Sequence, residues 1–80
     1  MMGTWHKRQI LKGELGELSK IQEEIEEAFD AEEQGQKIML LIELADIVGA
    51  AGLVAEKHGM TLDDLVAFAK LRSEVMRNDK

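Results

Sequence analysis

Residues 38–55 read IMLLIELADIVGAAGLVA. The run is too long for a strand and is apolar almost all round, which describes a helix that must be surrounded by protein. Two acids interrupt it, Glu43 and Asp46, one helical turn apart and so leaving the same face. An unpaired carboxylate buried in such a helix is costly unless it is protonated, paired or bound to a cation. Oxygen-only ligands with no Cys or His nearby favour a hard cation, Mg²⁺ or Mn²⁺, over Zn²⁺. Arg72 and Lys70 are the other partners these acids could take.

Around this run the pattern is all-α. Proline is absent, and apolar residues recur at three- and four-residue steps. Three main helices are expected, separated by turns at Gln34-Gly35-Gln36 and His58-Gly59. The second, about 36–57, carries Ala45, Gly49, Ala50, Ala51 and Gly52, whose small size permits close approach of another helix. Gly59 is free to take the left-handed conformation that closes it.

The third helix has a natural N-cap in Thr61, with Asp64 three positions on. Its expected core face is Leu62, Leu65, Val66, Ala69 and Met76, with Arg72 falling on the apolar side and Asn78 onward expected to fray. The first helix starts near Glu14, or at a late capping box Ser19-x-x-Gln22. Leu15, Leu18, Ile21, Ile25, Ala28 and Phe29 form its apolar stripe, and Lys20, Glu24 and Glu27 lie on a strip beside it that can point into a cleft. Residues 1–13 form a basic arm in which Trp5 serves as a subunit anchor or a base-stacking residue.

Eighty residues make one small domain, 1–80, without a cysteine to staple it. Its apolar surface exceeds what two neighbouring helices cover, so the core is expected to be completed by oligomerisation into a homo-oligomer, a dimer or tetramer. Ten basic against sixteen acidic residues give a net charge of -6, which disfavours nucleic acid and anionic membranes as partners. The two acids in the long apolar run disfavour a membrane span, and a soluble, cytoplasmic protein is expected.

In Glu23-Glu24-x-x-Glu27 the spacings i, i+3 and i, i+4 let all three carboxylates project from neighbouring turns. Brought against Glu43 and Asp46 they form a self-repelling cluster that divalent cations would neutralise, with phosphate supplying further ligands. This order and spacing resembles the all-α nucleoside triphosphate pyrophosphohydrolase superfamily, the MazG-like group, in which Glu-Glu-x-x-Glu on one helix is followed after a short turn by Glu-x-x-Asp on the next. The resemblance covers roughly residues 13–77, including KGELGELSKIQEE and LIELADIVGA, and is to short bacterial and phage types.

The resemblance implies Glu24, Glu27, Glu43 and Asp46 as Mg²⁺ ligands, and Glu23 as a further ion ligand or the group orienting the attacking water. It implies phosphate contacts from a later helix, where Lys70, Arg72, Arg77 and Asn78 are available. On the residues alone, Lys20 is either a further phosphate contact or the i, i+4 partner of Glu24. The implied reaction cleaves a (deoxy)nucleoside triphosphate to the monophosphate and pyrophosphate. Phosphoribosyl-ATP pyrophosphohydrolase is the alternative enzyme. A helical module that binds metal or nucleotide without turnover is the alternative outside catalysis.

Overall fold

A computed structural model describes residues 8–78. Those residues form three helices, α1 (Leu18–Glu33), α2 (Lys37–Glu56) and α3 (Leu62–Asn78), and no strand. The class is therefore all-α. Trp5 and the rest of 1–7 lie outside the described residues, as do 79–80.

The connections follow from local chemistry. At the end of α1 the Gln36 amide donates to Ala31 O at 2.9 Å and the Gly35 amide to Glu32 O at 3.0 Å. Gly35 has φ 69°, so this is a Schellman closure that only a residue at ease with positive φ completes. The same pattern ends α2, where Met60 N donates to Ala55 O and Gly59, at φ 84°, donates to Glu56 O. α3 opens with a reciprocal box: Asp64 N donates to Thr61 Oγ1 at 3.1 Å, and Thr61 N to Asp64 Oδ2 at 3.2 Å. Asn78, expected to fray, is the last residue of this helix.

α1 starts at Leu18, after a turn in which Glu17 N donates to Glu14 O. Ser19 is not its cap; the Ser19 hydroxyl instead accepts from Glu14 N at 3.1 Å, holding the incoming chain. Residues 8–14 then run as a non-helical strap along α1. Its fastenings are Arg8 N donating to Asp30 Oδ1 at 3.2 Å, buried Ile10, and Gly13 N donating to Glu23 Oε1 at 2.8 Å. Arg8 also pairs with Glu26 and lies 5.7 Å from the Phe29 ring centroid. A Cβ on Gly13 would sit 2.2 Å from Ser19 O, so nothing larger than glycine fits.

α2 packs along α1 and also contacts α3, while α3 does not contact α1. Close approach is realised at Gly52, where a Cβ would meet Leu62 Cδ1 at 2.8 Å. Gly49 has nothing within 4 Å of that position.

The expected division of apolar and polar faces holds on α1 only in part: of the core stripe, Ala28 is buried and Ile21 half-buried. Glu23, Glu24, Glu27 and Asp30 are buried, while Leu15, Leu18, Ile25 and Phe29 of the expected core stripe are exposed. The acidic face is turned toward α2 and the strap, and Ile25, Ala28 and Phe29 border a groove with Leu40, Leu44 and Ile47 of α2. On α2 only Glu43, Ala50 and Gly52 are buried, and Ile38 is 74% exposed. No residue of α3 is buried, and Leu71 is 65% exposed. α2 is long and apolar enough, by length and composition, to cross a membrane. Its surface is largely uncovered within one chain.

Candidate metal centre

The two helices that pack most extensively bring three carboxylates together. Glu24 and Glu27 leave α1 one turn apart, and Glu43 enters from α2 opposite them. One oxygen from each lies within 4.8 Å of the other two. All three residues are buried, with Glu24 and Glu27 at 7% exposure and Glu43 at 4%. Oε1 of Glu24 and Oε1 of Glu43 have no hydrogen-bond partner. A buried acceptor without a donor is among the more costly features a fold can retain.

Electrostatics follow from this packing. Burial pushes the Glu43 carboxyl up to about 8, and the Glu27 and Glu24 carboxylates beside it push in the same direction by hydrogen bonding to its protonated form and by like charge. Around neutral pH Glu43 therefore holds a proton that a cation could replace. Three oxygen donors with no nitrogen or sulfur suit a hard ion, Mg²⁺ or Mn²⁺, and the two orphaned oxygens supply acceptor capacity the protein leaves unused. The residues present thus fit such an ion.

Glu23 occupies a different position. It is buried, but its Oε1 accepts from Gly13 N at 2.8 Å and from Lys20 Nζ at 3.2 Å. Burial acts to raise its pKa, and the Gly13 amide and Lys20 outweigh that and hold it below the usual carboxylate range. Lys20 also reaches Glu24 Oε2 at 3.2 Å. Burial acts to lower the Lys20 pKa, and its bonds to Glu23 and Glu24 overcome this, keeping the amine charged.

Asp46 is exposed and outside the trio of converging oxygens. It does share a cavity of ≈ 410 Å³ with Lys20 and Glu24, floored by Gly49 and Ala50 between Leu15 and Leu53. The two acids expected on one face divide here, since i, i+3 residues are about 60° apart around the axis. That offset turns Glu43 inward and Asp46 toward the cavity. Lys70, Arg72, Arg77 and Asn78 are all exposed on α3. α3 touches α2 and not α1, none of the four lines the cavity beside Glu24, and none has an ion pair among the described residues.

Asp30 is the buried acid that pattern reading passes over. It is 1% exposed and accepts from Arg8 N at 3.2 Å and from Gln34 Nε2 at 2.8 Å. Its signal was its spacing, three residues after Glu27 and so on the same inward face. It fastens the strap and the α1 terminus. Comparison with known proteins finds no family model, no curated protein and no solved structure that matches this chain.

Proposed function

We propose that this chain is a Mg²⁺-dependent nucleotide pyrophosphohydrolase, cleaving a (deoxy)nucleoside triphosphate to the monophosphate and pyrophosphate. The observation that carries the reading is the buried Glu24, Glu27, Glu43 trio with two unpartnered oxygens. The Glu-Glu-x-x-Glu and Glu-x-x-Asp order, which resembles the MazG-like group, supplies the substrate class.

Glu24, Glu27 and Glu43 would hold the ion, with Asp46 joining from the cavity wall. Bound Mg²⁺ would supply charge neutralisation at the phosphates and a more acidic water. The chain's own part is to present the donors already dehydrated. Glu43 surrenders its proton on cation binding, so binding at neutral pH releases protons and strengthens with pH up to about 8. Glu23, committed to Gly13 N and Lys20, orients that network instead of entering the trio.

The functional unit in this reading is a homo-oligomer. Ile38, Leu41, Phe68 and Leu71 are exposed, an apolar surface that a second copy would cover. A lipid bilayer is the poorer cover, because Asp46, exposed midway along α2, would cost about 2.5–3.5 kcal/mol at its centre. The α3 residues Lys70, Arg72, Arg77 and Asn78 then have a role across the subunit boundary, supplying phosphate contacts to a neighbouring site. A cytoplasmic location suits a soluble assembly of this kind.

The test is pyrophosphate release from a panel of nucleoside triphosphates with Mg²⁺, with Glu43→Gln as control and the oligomeric state measured by light scattering. Metal-dependent release abolished by Glu43→Gln is expected. Release that survives the substitution would remove Glu43 from the chemistry. The separation of the α3 cations from the trio within one chain favours one second reading, a module that binds metal and nucleotide without turnover. Nucleotide bound with Mg²⁺ yet recovered intact would select that reading. Phosphoribosyl-ATP is the next substrate to assay if the standard panel is inert.

A further inference from the structure

Lys20 already places a monovalent cation on one member of the trio. Its Nζ is 3.2 Å from Glu24 Oε2 and 3.2 Å from Glu23 Oε1, with the side chain 18% exposed. The two contacts are not equivalent. Glu23 is pinned at the same oxygen by Gly13 N at 2.8 Å, and Gly13 in turn is wedged against the Ser19 carbonyl. Glu24 meets Lys20 at Oε2 and the Glu43 carboxyl beside it, and its Oε1 has no hydrogen-bond partner among the described residues, with no backbone amide fixing it. The Lys20–Glu23 contact is therefore the fixed half, and the Lys20–Glu24 contact is the half that can be exchanged.

The cavity beside this pair gives the ammonium somewhere to go. Lys20, Glu24 and Asp46 all line the ≈ 410 Å³ space, and Leu15 and Leu53 offer an apolar bed for a lysine stem. Building on the divalent-cation reading of the trio, we propose that Lys20 is an exchangeable internal counter-ion. It neutralises Glu24 until a divalent cation takes that carboxylate, then turns into the cavity and receives an anionic phosphate group of the substrate. A divalent ion and an ammonium on one carboxylate repel strongly at this range, which makes joint occupation unfavourable. A phosphate between them removes the repulsion by giving each cation its own oxygen.

Two opposite effects in one variant follow, and loosened packing produces no such pair. By calorimetric titration of the full chain at pH 9, Lys20→Met is expected to bind Mg²⁺ alone about tenfold more tightly than the parent. With Mg²⁺ saturating, the same variant is expected to bind inorganic pyrophosphate about tenfold more weakly, whereas Lys20→Arg stays within about threefold on both measures. Circular dichroism establishes that each variant is folded, and Lys20→Gln takes the place of Lys20→Met if the apolar variant is not. Mg²⁺ affinity unchanged or weakened in the neutral variant, or unchanged pyrophosphate affinity, overturns the exchange. A parent protein that binds no Mg²⁺ at all overturns the divalent-cation reading itself, and this inference with it.

Discussion

Glu43 makes stability without metal depend on pH in a direction that ordinary surface carboxylates do not. In the folded chain burial and the neighbouring Glu27 and Glu24 hold its pKa up to about 8, against 4.5 for an unperturbed glutamate. The folded state therefore binds more protons than the unfolded state between those values. The stabilisation is complete below pH 4.5 and is lost as pH rises through about 8. From pH 5 to pH 8 the loss attributable to Glu43 is about 4 kcal/mol at most, spread over the coupled trio. Against a typical total of about 5–15 kcal/mol this is a large fraction. Urea unfolding in EDTA, at fixed protein concentration and across pH 5 to 9, measures it. The parent midpoint is expected to fall with pH, the Glu43→Gln midpoint to stay nearly flat, and Mg²⁺ to restore the parent alone at high pH. Glu23 does not confuse the window, because its lowered pKa makes its contribution disappear only on acidification. Parallel pH profiles for parent and variant would refute the claim that Glu43 is a buried, proton-holding member of the cluster.

Gly13→Ala forces a Cβ against the Ser19 carbonyl and should release the strap, costing about 1–3 kcal/mol in thermal unfolding and exposing residues 8–14 to amide exchange. The two central glycines of α2 should part company. Gly49→Ala, with open space around it, gains about 1 kcal/mol of helix propensity, while Gly52→Ala loses that gain to the clash with Leu62, a contrast that paired denaturant titrations read directly. Thr61→Ala removes the hydroxyl that accepts from Asp64 N, and a loss of about 1 kcal/mol is expected by the same titration.

What the sequence made legible was whatever its causes keep local. Gly35, Gly59 and the Thr61–Asp64 box end and begin helices because the bonds they make span five residues or fewer, and the turns fall where those residues stand. The convergence of Glu24, Glu27 and Glu43 was legible too, since one-turn spacing on α1 and an acid inside an apolar α2 constrain each other. The inward face of α1 was not. Periodicity assigns Leu15, Leu18, Ile25 and Phe29 to the core on the premise that apolar residues hide and charged ones face water. Here Glu23, Glu24, Glu27 and Asp30 are buried, while of the apolar stripe only Ala28 is buried and Ile21 half-buried. Both departures incur costs that one chain does not offset, and they differ in kind. Unpartnered carboxylate oxygens call for a cation, and exposed leucines call for a nonpolar surface. α2 carries both demands, with Glu43 turned into the trio and Ile38, Leu41 and Ile42 turned outward. An association that seats the outer face of α2 therefore also fixes Glu43, which links assembly to the readiness of the carboxylates through a single rigid element.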